Sequence, residues 1–492
     1  MHEDVVRRGR LSGERSEEIK SFLSSMEADT YIAKEDVLVD MAHLLMLHRQ
    51  NIIAPVHAKA LMKALLVLHN EGIPVAAFED RFEDIHAGIE SLLVSTAGED
   101  SGGRLHMGRS RNDEVAACIR IRLRNELLAQ MGRIIGLREV LLDLAEQYYE
   151  SAMPGFTHFQ PAQPTTLAHY LLAYEQAFTR DFERFSGVYT RINTNPLGSA
   201  AFASTGYPID REYTASLLGF DGIAGNTMDG VASRDQVLEV LADYSLLMTT
   251  ISRMCEELVV WSSPLIGFVM LNDAFCSTSS IMPQKKNPDI AEIMRGKSGS
   301  VLGAFTAASV IVKGLPMSYN RDLQELNPHL WRAVRDISAC TYLLSAMLAT
   351  ASFDRDRMNE KAGEGFSTAT DLADFLVRAY DLPFRSAHSI VARAVSTGAV
   401  TLESLDRAAV EFTGTSLTGR GFGEEQLTAA LSVAGSIAAR DQPGGPSPGA
   451  TSRAVCRSRD QILQDKELLE SRKLRVSKAM EQLIGEAGRL VA

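Results

Sequence analysis

The chain has 492 residues, 45% of them hydrophobic and 23% charged, with a formal net charge of −12. That is the composition of a soluble globular protein long enough for about three domains, and its acidity excludes the basic face of a typical nucleic-acid binder. The five cysteines are scattered without CxxC spacing, which points to a reducing compartment and no structural zinc, and no apolar run approaches the ~20 residues needed to cross a membrane.

The opening carries two acidic residues before Arg7 and no apolar run, so no signal peptide is expected. Ser24-Ser25-Met26-Glu27-Ala28-Asp29 leads into a helix bearing Val37, Met41, Leu44 and Leu45. A second helix is predicted over 55–71, ending near Gly72-Ile73-Pro74, and a third after Asp84 with Ile85, Ile89, Leu92 and Leu93. His43, His48, His57 and His69 have no metal-ligand spacing and read as surface or packed histidines.

Gly102 to Glu114 reads Gly-Gly-Arg-Leu-His-Met-Gly-Arg-Ser-Arg-Asn-Asp-Glu. Its glycines allow close backbone approach, and Arg104, Arg109 and Arg111 offer planar forks for carboxylates. The plainer reading is a loop with solvated arginines, and the pattern is neither a Walker A motif nor GxGxxG. Asn112 or Asp113 is expected to cap a long helix over 113–149. The stretch from Pro154 to Pro164 contains three prolines around Thr157 and His158, a short rigid turn that presents a histidine to a neighbour or simply uses it structurally.

Helices are predicted over 166–191 and 230–261. The second has a narrow apolar seam, from Val237 to Leu258, of about three heptads. Such a seam packs either against other subunits or within its own domain. Ser277 to Asp289 follows, a polar stretch without glycine. Asn287 is expected as N-cap, Pro288 at the first helical position and Asp289 in the first turn of a helix over 288–312. That helix start is electropositive, Lys285 and Lys286 add charge, and a serine held there would ionise more readily. Glu292 falls in the second turn. Tyr319 to Glu325 forms a polar turn, and helix resumes over 328–352. A smaller helical domain begins near 363, residues 441–449 form a loop, and a charged helix over 458–490 reads as a solvated face.

Four of these stretches, in this order, resemble argininosuccinate lyases of the fumarase/aspartase superfamily. They are Gly-Arg-Leu-His-Met-Gly-Arg-Ser-Arg-Asn-Asp from Gly103, Pro-Gly-Phe-Thr-His-Phe-Gln-Pro-Ala-Gln-Pro from Pro154, Ser-Ser-Ile-Met-Pro-Gln-Lys-Lys-Asn-Pro from Ser279, and Gly-Gly-Pro-Ser from Gly444. The resemblance runs from about residue 9 to the C-terminus. Two departures stand out: Thr278 replaces a usual glycine, and Arg321 stands where relatives often carry lysine.

The resemblance implies an all-α chain of three mostly helical domains, 1–110, 111–362 and 363–492. The long central helices would form the twenty-helix bundle of a cytoplasmic homotetramer, with each active site shared among three subunits. It implies a small-molecule substrate, argininosuccinate, split into arginine and fumarate without cofactor or metal, and no nucleic-acid or membrane partner. Ser279 would be the base, with Ser280 as fallback, His158 the proton donor, Glu292 its partner and Lys285 a stabilising cation. Ser25, Asp29, Arg111, Asn112, Thr157, Asn287, Tyr319, Arg321 and Gln324 would hold the substrate. The alternatives are a sister lyase acting on adenylosuccinate or aspartate, or a non-enzymatic relative of the lens-protein kind, because fold does not dictate function.

Overall fold

The computed structural model describes residues 15–492; the first residues, where no signal peptide is expected, lie outside that range. Helices carry the fold, and the strands are short two-stranded ladders. Only the elements that position the site are labelled below.

In the N-terminal part, α1 (Ala33–Arg49) packs on α2 (Pro55–Glu71). Pro55 opens α2, where its missing N–H is no loss. α3 (Ile85–Ala97) is capped by Asp84, whose carboxylate accepts the Ala87 N–H at 2.8 Å.

α4 (Arg111–Gln147) is the first long helix. Neither Asn112 nor Asp113 is its cap, as the sequence suggested. Ser110 holds that position, and Asp113 reaches back to the Ser110 N–H at 3.0 Å to close a capping box. The segment after α4 is not a bare turn but a hairpin of β1 (Ala152–Thr157) and β2 (Gln160–Thr166). Prolines are tolerated because both strands are edges. The register slips between Pro154 and Phe156, and a Cβ on Gly155 would lie 2.5 Å from the Gln163 carbonyl oxygen, so only glycine fits.

α5 (Leu167–Ile192), α6 (Asp235–Ser262), α7 (Asp289–Val312) and α8 (Leu326–Ala349) complete the central bundle. α4 packs on α5 and α8, α6 on α5 and α7, and α7 on α8. The apolar seam of α6 is spent inside this bundle: Val237, Tyr244, Ile251 and Leu258 are all buried. Burying such side chains contributes about 1.5–3 kcal/mol each. Apolar residues left exposed on the bundle include Leu246 on α6 and Ile293, Leu302 and Val310 on α7.

Residues after 363 divide their packing among three clusters, the smallest joining Ile437 to Ala152 and Ala362. α9 (Ala369–Tyr380), α10 (Phe384–Ser396) and α11 (Leu402–Thr413) surround a small core of their own that includes Leu372, Ile390 and Leu405. α12 (Pro448–Val491) instead returns to the main core through Ile462, Leu469 and Leu483. It starts ten residues before the predicted 458, because Ser447 caps it by accepting the Ala450 N–H at 3.0 Å and Pro448 takes the first position. Its charges are not merely solvated. Asp465 meets the buried Arg138 at 2.5 Å, and Lys466 meets Glu139 at 2.5 Å.

Candidate active site

The polar stretch before α7 folds back on itself. β3 (Ser277–Thr278) pairs with β4 (Lys286–Asn287), matching Ser277 with Asn287 and Thr278 with Lys286. Thr278 is not at positive φ, so a β-branched side chain is accommodated without strain. Pro288, not Asn287, occupies the N-cap position of α7, because Asn287 is held in the ladder with its amide 3.5 Å from the Ser277 hydroxyl. Glu292 consequently falls in the first turn of α7, where a negative charge is favoured.

Inside the hairpin the Ser279 Oγ accepts the N–H of Met282 at 3.0 Å and of Ile281 at 3.3 Å. Two donors aimed at one hydroxyl oxygen favour its deprotonated form. Lys286 is a tether: its Nζ donates to the Leu271 carbonyl at 2.6 Å and to Asp273 at 2.6 Å. Lys285, Asn287 and Glu292 line a cavity of about 950 Å³ below, alongside Met270 and Asp354.

Thr157 and His158 are exposed at the tip of the β1–β2 hairpin. Thr157 pairs with Gln160, and the two residues between them, His158 and Phe159, both have positive φ, 56° and 58°. Glycine or asparagine normally fills such a two-residue turn. Each bulky residue held there costs on the order of 1–3 kcal/mol. Among the described residues no hydrogen bond or ion pair joins His158 to Glu292. The Gly-Gly-Pro-Ser stretch begins near the hairpin: the Gly444 carbonyl lies 3.0 Å from His169 Nε2, while His169 Nδ1 meets the Thr165 hydroxyl at 2.8 Å.

A third group gathers around the turn before α3. Ser25 and Gln324 line a cavity of about 430 Å³ together with Arg321. The Ser25 hydroxyl donates to Asp29 at 2.6 Å. Asp29 is buried, and loss of hydration pushes its carboxyl up to about 6, against the opposing pull of His86 and Ser25. Arg111 donates to Asp84 at 2.8 Å and to Glu90 at 3.0 Å. Asn112 faces elsewhere and donates to the Ala201 carbonyl at 2.9 Å. Tyr319 lies within electrostatic reach of the buried Arg234. The predicted site residues therefore form three principal groups within one chain, with Asn112 and Tyr319 outside them.

Residues 9–303 match the family described as Lyase, and residues 366–438 match the Argininosuccinate lyase C-terminal family. The chain is 57% identical to the argininosuccinate lyase of Methanoculleus marisnigri, over all of both chains. It is 55% identical to that of Methanospirillum hungatei, over all of this chain and 99% of the relative. The chain belongs to the argininosuccinate lyase family. Among solved structures, EDDS lyase in complex with formate superposes with a TM-score of 0.85 at 28% identity, covering 99% of this chain and 98% of that one. A class II fumarase from Schistosoma mansoni superposes at 0.68 with 16% identity, over 82% and 90% of the two chains, and shares the fold.

In this argininosuccinate lyase family chain the Gly-Arg-Ser-Arg motif divides its two arginines between two places. Arg111 faces the third group, but Arg109 is buried, with Nη1 2.6 Å from Asp40 and Nη2 3.0 Å from Glu114. Next to them the buried His86 Nδ1 lies 2.9 Å from Asp36. Asp36, His86 and Glu114 bring ligand-type atoms within 4.8 Å of one another. Arg109 and a protonated His86 supply the positive charge that this spacing would otherwise ask of a metal. Burial works against the charged imidazole, but Asp36, Glu114 and Asp84 win and push its pKa up to about 10. The sequence carried a trace of this cluster in Asp36 and Asp40, two acids one helical turn apart beside Val37 and Met41 on α1. Glu83, Asp84 and Glu90, which hold the third group, had no comparable signal.

Proposed function

We propose that the chain cleaves argininosuccinate to arginine and fumarate by proton abstraction from the carbon beside a succinyl carboxylate, followed by loss of the guanidinium nitrogen. Ser279 is the base. The observation that carries this role is the pair of backbone N–H groups directed at its Oγ, which stabilise the oxygen as it gives up its own proton. The intermediate bears an added negative charge on the carboxylate. Lys285 and the start of α7 offset that charge from the adjoining cavity.

His158 donates the proton to the leaving nitrogen, directly or through water, and Glu292 from another subunit orients it. Its held positive-φ conformation at an exposed tip supports presentation to a neighbouring copy. The other members, Ser25, Asp29, Arg111, Asn112, Thr157, Asn287, Tyr319, Arg321 and Gln324, bind the substrate's carboxylates and guanidinium end. Their separation within one chain supports sites assembled from several copies. The exposed Ile293, Leu302 and Val310 of α7 leave apolar side chains outside this chain's own core, which supports a homotetramer. No helix of the described residues is long and apolar enough to cross a membrane; a cytoplasmic location follows the same reading.

The test is fumarate release, followed by absorbance, from argininosuccinate with adenylosuccinate and aspartate in parallel. Release from argininosuccinate alone is expected, and release only from another substrate refutes the assignment. Shared sites are tested by co-assembling two inactive chains, Ser279→Ala and His158→Asn. Mixed oligomers recover activity if the residues meet across subunits, and remain inactive if they meet within one.

A further inference from the structure

Glu83 and Asp84 are consecutive residues in the turn before α3, and together they hold two of the arginines assigned to substrate. Asp84 is buried, and both of its carboxylate oxygens accept from Arg111 Nη1, at 2.8 and 3.0 Å. One carboxylate oxygen of Glu83 accepts a short hydrogen bond from Arg321 Nη2. Its other oxygen accepts from Arg15 at 3.0 Å. The Glu83 carbonyl accepts the Ser25 N–H at 3.0 Å. Arg321 Nη2 also donates to the Leu23 carbonyl at 2.7 Å. Glu83 thus ties the segment before Ser25 to the turn between α7 and α8, which is 238 residues away in the chain.

Paired with Arg111 and Arg321, these carboxylates do not add to the arginines' pull on the substrate's carboxylates. A negative charge beside Arg321 weakens its pull on an anion. What Glu83 supplies is direction, because a planar guanidinium held at one nitrogen presents its remaining N–H groups along a set line. We propose that Glu83 is a positioning residue for the lyase reaction, acting through Arg321 to set the orientation of the bound substrate. This also accounts for arginine at 321. A lysine has no second arm with which to hold Leu23 and Glu83 while facing a ligand. The inference rests on the reading of Arg321 as a substrate contact.

Orientation and charge predict a split between kinetic constants. Glu83→Gln keeps the size of the side chain and removes its charge. Its kcat is expected to fall by about 10- to 100-fold through misplacement of the substrate, while KM stays level or falls. Arg321→Lys is expected to lose kcat in the same way, and adding Glu83→Gln to it should cost little more. A rise in KM at unchanged kcat for Glu83→Gln, or multiplying losses in the double variant, overturns the proposal. Should Glu83→Gln fail to fold, Arg321→Lys decides alone: wild-type kcat refutes the proposal, and a lower kcat at level KM upholds it. Arg321→Ala separates the two layers. If it leaves both constants unchanged, the substrate reading of Arg321 fails; if it impairs them while Glu83→Gln does not, only the positioning role fails.

Discussion

The Ser279 hydroxyl oxygen accepts the Met282 N–H at 3.0 Å, within a hairpin closed by Thr278 and Lys286. The bond favours the deprotonated hydroxyl without placing it in a dry core, which fits the role of base proposed for it. Ser279→Ala should therefore lower kcat by about 10²–10⁴-fold. Because the residue is only half-buried, its unfolding free energy should change by no more than about 0.5 kcal/mol. Steady-state kinetics and urea unfolding on the same preparation check both. A large loss of stability would make the serine a structural residue.

Thr278 adopts ordinary extended pairing, so Thr278→Gly relieves no strain. It adds freedom to the hairpin, at a cost of about 0.5–1 kcal/mol. The expected result is a two- to fivefold lower kcat/KM and faster limited proteolysis within 277–287. Higher activity than the parent would show that the threonine restrains a motion the reaction needs.

Arg109 is enclosed with Asp40 and Glu114, so Arg109→Met leaves the buried Asp40 without its cation and Glu114 with only His86, at 3.9 Å. A loss of about 3–5 kcal/mol in unfolding free energy is expected. Arg104, which pairs with Asp100 at the surface, should cost less than about 1 kcal/mol on replacement by methionine. Equal losses at the two positions would mean that the cluster contributes no more than a solvated pair.

Asp29 has a folded-state pKa of about 6, above the model-peptide value of 3.8, chiefly through burial. The folded chain holds this proton more tightly than the unfolded one. The associated stabilisation is complete below the unfolded value and is lost as pH rises through 6. Above that the buried charge opposes folding by up to about 3 kcal/mol. Asp29→Asn should gain stability relative to the parent between about pH 4 and pH 7.5. Urea unfolding at those two pH values measures the difference, and a gap that does not change with pH would show that Asp29 titrates normally.

The helical architecture was legible because apolar residues at three- and four-residue steps mark a buried helix face wherever they occur. The seam of α6 and the run along α4 needed no tertiary information. The motif around Ser279 was equally plain, since hydroxyls, two lysines and an amide packed before a helix start stand out by residue type alone. Local competition decided the details. Ser110 outcompeted Asn112 for the cap, and Asn287 was drawn into a ladder that a list of residues does not reveal. Only the tertiary structure separated Arg109 from Arg111, two residues apart in one motif. Arg109 lies before the extended Ser110 cap, outside α4, and Arg111 is the first helical residue, so one guanidinium turns inward to Asp40 while the other meets Asp84. The same holds for Glu83, whose role depends on a partner 238 residues away. Periodicity records which face of a helix is buried; it does not record which distant charge lies across from it.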